Sequence, residues 1–481
     1  MEFKTISHVV MVLVGIALGS LCIFFPSYYI LAAVIITILF LLQLNHKYLL
    51  LLLLIIGFVL FDRSFAHLGI EIGGLPLYIT EAVLFATIGI LLLDRLVGRK
   101  VNYLKNIPLK KEFAFFYLIG FVALIRGFLY YTPLLTLRHA ALFYYSIFYF
   151  LMPVLFKDLR RIKLLFRLFF VASIVISVAT LLKINLQFNI YGKLGNFNYL
   201  YLSLVVIVEF FYFVSLKKRV YKILLLLIIF LQLSVLLVGR VSGAWVAFLV
   251  SMLFFLYLSS KMDKLKRRMR MVFLSVVAVG VILFTLAILI NPASVNKVKS
   301  EAVSTVFFYR VSPSHLEFQK YNPIYLPSYT TANNVWWRLF IWRDMLKELF
   351  KKPLFGWGFG RPFRSPTLES LGWGAGEEDG WIDPHNSHLN IAYKSGIIGY
   401  VIFLLIIASF FKKTIRLLLR MRKDDKIKLY IGGLLTCVVN ILVLSFFEVV
   451  LEGPFMGSFL WISMGLIVAL ENIYNRKRSE F

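Results

Sequence analysis

The chain has 481 residues, of which 60% are hydrophobic and only 16% charged, with a mean hydropathy of +0.84. A water-soluble protein is about half apolar and about a quarter charged, so composition excludes a soluble enzyme. The formal net charge of +28 sits in short loops between apolar runs, a pattern of membrane orientation that argues against a nucleic-acid partner.

From the N-terminus onward, apolar stretches recur, each long enough to cross a hydrocarbon core of about 30 Å. The expected fold is therefore an all-α integral membrane protein. About fourteen spans are expected, centred near residues 15, 36, 55, 87, 122, 148, 173, 207, 230, 250, 281, 400, 437 and 462. The first, "ISHVVMVLVGIALGSLCIFF", lacks a small-residue cleavage site and reads as a span rather than a signal peptide. Cys22 and Cys437 both fall inside expected spans, as small apolar residues.

The loops "GRKVNYLKNIPLKK", "KDLRRIK", "KKRVYK", "KMDKLKRRMR", "KKTIRLLLRMRKDDKIK" and the tail "RKR" hold about thirty of the 52 Lys and Arg. The short loops alternating with them hold few, among them Arg63, Arg138, Lys193 and Arg240. The positive-inside rule then places both termini in the cytoplasm. Residues 1–290 are expected to form spans one to eleven, 291–388 a large loop on the outer side, and 389–481 the last three spans with a cytoplasmic tail.

That large loop has 11 Lys/Arg against 9 Asp/Glu and is long enough to escape the charge rule. Within it, "NVWWRLFIWRDMLKELFKKP" predicts an amphipathic helix ended by Pro353. Val335, Leu339, Trp342, Leu346 and Leu349 share its apolar stripe; Asp344, Lys347, Glu348 and Lys351 fall opposite. Arg338 lies on the apolar edge beside Leu349, either with its head in water or turned inward toward a site. Arg343 is on the same helix.

In "WIDPHNSHLNIAYKSGIIGY" (381–400), Asp383 is the expected N-cap, Pro384 the first helical position, and His385 part of the first turn. The exposed amides and the positive end of the helix dipole favour an anion and a neutral imidazole. His385 thus reads either as a base beside an anion site or as an interfacial histidine capping its own helix. Asn386 and His388 are its neighbours, His388 one turn on.

Arg240 ends a span in "LLVGRVSGAW", Arg126 lies about a turn inside the membrane in "ALIRGFLYY", and Arg138 is close by in "LTLRHAAL". Arginines converging on one face suit a diphosphate, because the guanidinium fork matches phosphate oxygens. Glu448 and Glu452, in "FFEVVLEGPF", can balance the arginines or orient a sugar. Glu209 is a carboxyl inside a span. "PLFGWGFGRPF" matches no phosphate-binding fingerprint and reads as the turn ending the amphipathic helix. "GEEDG" (376–380) reads as a solvated loop, no His/Cys spacing suits a metal, and no cofactor is expected.

Three segments carry a resemblance. "DPHNSHLNIAYKSGIIGY" resembles the His-Asn…Leu…Gly…Gly signature of the O-antigen ligase and polymerase superfamily. "RLFIWRDMLKELFKKPLFGWGFG" resembles that family's upstream Arg-Leu-x-x-Trp…Gly-x-Gly segment, and "FFEVVLEGPFMGSFLWISMGLI" its last span. The resemblance implies an inner-membrane glycosyltransferase of the GT-C type, inverting and metal-independent. It would move a glycan from an undecaprenyl-diphosphate carrier to a sugar hydroxyl on the outer side. The acceptor would be lipid A–core for a ligase, or a second lipid-linked glycan for a polymerase. His385 matches the family base and Arg338 the loop arginine facing the diphosphate. Arg240 is displaced by two residues from the family's Ser-Arg-Gly-Ala. Arg126, Arg138, Arg343, Asn386, His388 and Glu448 are the remaining candidates for substrate binding. The competing expectation from another class is a lipid-linked glycan flippase without chemistry.

Overall fold

A computed structural model describes residues 47–66, 68–72, 75–96, 106–182, 199–216, 218–238, 242–260, 331–370, 384–422 and 426–479. Apart from one small hairpin, the described chain is helical, in an all-α membrane architecture. Its helices are α1 (Leu49–Ala66), α2 (Ile79–Leu96), α3 (Lys110–Tyr130), α4 (Pro133–His139), α5 (Ala141–Tyr145), α6 (Phe148–Leu155), α7 (Leu159–Leu181), α8 (Tyr199–Ser215), α9 (Arg219–Val238) and α10 (Ser242–Ser260). Then come α11 (Thr331–Lys351), α12 (Pro366–Ser370), α13 (Ser387–Arg420), α14 (Lys426–Leu444) and α15 (Met456–Ser479).

Among the described residues six helices are long and apolar enough to cross a membrane, or seven if the broken pair around residue 140 forms one span. These sit at the expected positions near 122, 173, 230, 400, 437 and 462, with the broken pair near 148. The apolar helices near 55, 207 and 250 are shorter. The span expected near 87 is helical too, but α2 carries Glu81, Asp94 and Arg95, and the buried Asp94 pairs with Lys47. The spans expected near 15, 36 and 281, and Cys22, lie outside the described residues. Between α1 and α2 a hairpin of β1 (Gly69–Ile72) and β2 (Leu75–Tyr78) pairs Ile70 with Leu77 and Ile72 with Leu75, which the reading by apolar runs did not foresee.

The chain divides into two compact units. One comprises residues 1–107, 148–198 and 468–481. There Asp158 caps α7 by accepting the Arg161 amide at 2.9 Å, so that Arg160, Arg161 and Lys163 fall in the first turns of the helix.

The other unit, residues 108–147 and 199–467, holds every described candidate residue. Its core is aromatic: Phe116 stacks on Phe143 at 4.2 Å, and Trp461 lies edge-on to Phe113 at 5.6 Å. α14 packs against α8 and α10, with Cys437 buried among apolar groups as expected.

One feature of α13 positions the site. At Gly396 the backbone is non-helical (φ 74, ψ 176), which breaks the hydrogen-bond ladder inside an apolar helix. Residues 353–360 repair it. Ile397 and Ile398 donate to the Pro353 and Leu354 carbonyls at 2.8 and 3.3 Å, while Trp357 and Gly358 donate to Tyr393 and Lys394 at 3.0 and 2.9 Å. A Cβ on Gly396 would come within 2.1 Å of the Leu354 oxygen, so both φ and the close approach require glycine there. The Gly-rich run does end α11, as expected, and it also plugs a kink.

Candidate active site

α11 lies against α13, and its buried side is Ile341, Met345 and Leu349, packed with Phe363, Leu368 and Tyr393. This corrects the expected stripe. Leu346 is exposed and Asp344 is buried; the side chain of Val335 lies outside the described residues. Asp344 turns inward because it fastens the return of the chain. Its carboxylate accepts from Ser365 Oγ (2.7 Å), the Thr367 amide (3.0 Å) and the Thr367 hydroxyl (3.1 Å). Burial alone would raise this carboxyl, but these bonds, with that from Arg343, hold it below the usual carboxylate range. Arg343 is taken up in the same cluster, paired with Asp344 at 3.3 Å and bonded to the Thr367 hydroxyl. Glu348 accepts from Lys351 and, at 3.1 Å, from Arg361. Arg361 also lies 3.2 Å over the Trp357 ring.

The start of α13 differs from expectation. Asn386 is the N-cap, its side-chain oxygen accepting the Leu389 amide at 3.0 Å, and the helix begins at Ser387. His385 therefore stands just outside the helix rather than in its first turn, with a left-handed φ of 45. Such a backbone is costly for a residue with a Cβ and needs surroundings that impose it. They are present: the Trp342 indole donates to the Pro384 carbonyl at 2.6 Å, and the Ser387 amide donates to Ser445 at 2.8 Å. Asp383 lies outside the described residues, as does "GEEDG".

The imidazole of His385 meets Glu448, which follows α14 and whose amide donates to Leu444. His385 Nδ1 is 2.8 Å from Glu448 Oε2, and Arg338 Nη2 donates to Glu448 Oε1 at 3.2 Å. A carboxylate only accepts, so Nδ1 carries the hydrogen of this bond and Nε2 is the ring nitrogen left to meet a substrate. Trp337 stands edge-to-face with His385 at 5.2 Å between ring centroids. Arg338 thus turns inward from the apolar edge, and among the described residues one of its five N–H donors is engaged, by Glu448.

Beneath this triad lies a latch absent from the sequence-based list of sites. Ser387 Oγ donates to Glu452 Oε2 at 2.6 Å and accepts from the amides of Val450 (2.9 Å) and Leu451 (3.1 Å). Asn390 donates to the other Glu452 oxygen at 2.9 Å. The sequence signal was there, since Ser387 and Asn390 are polar groups at the mouth of an apolar helix, but their partners lie more than sixty residues on. His388 is buried: it bonds Ser445 (2.9 Å) and Tyr400 (3.2 Å) and stacks on Phe446 at 3.8 Å. These contacts hold its ring against the end of α14.

The structure thus gathers His385, Arg338 and Glu448, with Asn386 and His388 fixing the turn that carries them. Arg126 is placed on the Phe355 carbonyl, its Nη1 donating at 3.2 Å. Arg138 is half-buried in the last turn of α4. Arg240 lies outside the described residues. His139, which sequence reading passed over, accepts the Gly360 amide on Nδ1 at 3.0 Å. Among the described residues no three His, Cys, Asp or Glu side chains group as metal ligands would.

Comparison with known proteins bears on the same region. A family model described as O-antigen ligase matches residues 227–404. A Rickettsia felis protein named "Putative polysaccharide ligase" is 27% identical over 142 residues, covering 28% of this chain and 33% of its own. A Rickettsia conorii protein of the same description is 25% identical over 141 residues, with the same coverage. The chain therefore spans about a third of the length of these curated relatives. The matched stretch contains Arg338 and the His-Asn pair at 385–386, and over residues 227–404 the chain is similar to the O-antigen ligase family.

Proposed function

We propose that the protein is a membrane glycosyltransferase that takes a glycan from an undecaprenyl-diphosphate carrier and joins it to a sugar hydroxyl, as a polysaccharide ligase. The observation that carries the reading is the His385–Glu448–Arg338 arrangement. His385 Nε2 takes the proton of the acceptor hydroxyl as its oxygen attacks the anomeric carbon. The bond from that carbon to the diphosphate oxygen breaks on the opposite face, giving inversion, and undecaprenyl diphosphate leaves with the electron pair. Glu448 holds the ring in the required tautomer and balances the imidazolium as it forms. The remaining donors of Arg338, with Arg126, Arg138 and Arg240 as further candidates, stabilise charge growing on the diphosphate. The machinery needs no metal. On this reading the termini are cytoplasmic, the loop 291–388 belongs to the outer side of the inner membrane, and the acceptor is a lipid A–core or lipid-linked glycan.

The test is transfer in nanodiscs with undecaprenyl-diphosphate glycan as donor, with and without lipid A–core acceptor, and with EDTA. A shifted acceptor band that survives EDTA, falling roughly a hundredfold or more in His385→Ala, supports the proposal. A ladder from donor alone would make the enzyme a polymerase. Full activity in a folded His385→Ala protein overturns the mechanism, and donor binding without any product favours a transporter.

A further inference from the structure

The segment from the end of α11 to Gly360 combines two properties that belong together only in lipid. The carbonyls of Pro353, Leu354 and Phe355 accept from the amides of Ile397 and Ile398 and from Arg126 Nη1. The amides of Gly356, Trp357, Gly358, Phe359 and Gly360 donate in turn to Lys352, Tyr393, Lys394, Ala123 and His139. Its side chains, by contrast, are turned out and apolar: Phe350 is 70% exposed, Leu354 59%, Phe355 45% and Leu346 41%.

The depth of this segment follows from its partners. α3 has 21 residues and is about 31 Å long, close to the thickness of the hydrocarbon core. Ala123 lies seven residues before its last residue, Tyr130, so Phe359 meets α3 about 10 Å below its end. On α13 the partners run from Tyr393 to Ile398, about 9 to 16 Å from the first helical residue. Beside the segment, α3 exposes Val122, Ile125, Phe128 and Leu129, the face a span turns to lipid. Non-helical backbone is tolerated at such depth where other protein groups take up its hydrogen bonds, as they do for the carbonyls of residues 353–355 and the amides of residues 356–360.

We propose that residues 346–360 enter the bilayer: the last turns of α11 lie in the lipid interface, and Leu354–Gly360 re-enters the hydrocarbon core beside α3 and α13. Leu346, Phe350, Leu354 and Phe355 contact acyl chains, continuing the lipid-facing strip of α3. Lys347, Lys351 and Lys352, interleaved with these residues and all exposed, sit at the level of the lipid phosphates. The helix bearing Arg338 is thereby anchored in the leaflet through which a lipid-linked molecule would arrive.

The test places nitroxides on single cysteines at Phe350 and Leu354, with Glu369 as the solvent control, in protein whose Cys22 and Cys437 are alanine. The protein is held in nanodiscs of phosphatidylcholine and phosphatidylglycerol. Both labels should be relaxed by oxygen and lose relaxation by a water-soluble nickel chelate, with Glu369→Cys showing the reverse. Equal nickel access at 350, 354 and 369 overturns the proposal. Should the cysteine-free background fail to fold, benzoyl-phenylalanine at Phe350 in the otherwise native chain gives an independent reading. Photocrosslinks to phospholipid support the lipid contact, and crosslinks to a second copy of the chain, or none to lipid, refute it.

Discussion

Glu448→Gln separates orientation of the base from mere packing, because the substitution keeps shape and removes charge. In the native site one carboxylate faces two donors, His385 Nδ1 at 2.8 Å and Arg338 Nη2 at 3.2 Å. A carboxamide has one acceptor. If its oxygen faces His385, its NH2 meets the Arg338 guanidinium donor to donor. If its NH2 faces His385, Nδ1 must become the acceptor, the hydrogen moves to Nε2, and the base is lost. The native carboxylate also stabilises the imidazolium formed in the transition state. Unit charges about 4 Å apart gain about 4 kcal/mol at an effective dielectric constant near 20. The site is partly open to solvent, so a value nearer that of a charged hydrogen bond, about 1.5–3 kcal/mol, is the better guide. At about 1.4 kcal/mol per decade this is roughly a 10- to 150-fold loss of kcat. The assay is the initial rate of glycan transfer at saturating donor and acceptor, with thermal melting to confirm folding. KM for either substrate should change little. A Glu448→Gln enzyme within about twofold of native kcat would refute the role of Glu448 in orienting and balancing His385.

Three other outcomes follow from the same geometry. Gly396→Ala should destabilise the protein by several kcal/mol, on the order of the combined cost of a strained φ and a backbone clash, and lower the melting temperature in detergent. Asn386→Ala removes the cap of α13 and should cost about 0.5–2 kcal/mol, read by the same melt, with a fall in kcat because His385 precedes the cap. Asp344 has a folded pKa below its unfolded value, so its contribution is fully present above the unfolded carboxylate range, near pH 4, and is lost as pH falls toward the folded value. Native protein should therefore melt above Asp344→Asn at neutral pH, and the gap should shrink on acidification below about pH 4. A gap that stays constant through that range would rule out an ionised, hydrogen-bonded Asp344.

Local physics made much of this protein readable from its residues alone. A span declares itself by a run of apolar side chains, and positions near 122, 173, 230, 400, 437 and 462 needed no partner to be found. The amphipathic helix and its end at Pro353 were legible for the same reason, and His385, Arg338 and Glu448, which the fold brings together, stood out because polar groups in apolar surroundings are costly. What a single side chain touches was not legible. Asp344 and Leu346 exchanged expected faces because the segment around Ser365 and Thr367 returns to α11, a contact that helical periodicity cannot encode. The cap moved from Asp383 to Asn386, and His385 left the helix, because Trp342 and Ser445 pin the chain on either side of it. The pairing of His385 with Glu448 joins residues 63 apart, and the plugging of the Gly396 kink by Pro353 and Leu354 joins residues more than forty apart. Hydrogen bonds of that range depend on where two helices end in space, which only the tertiary packing decides.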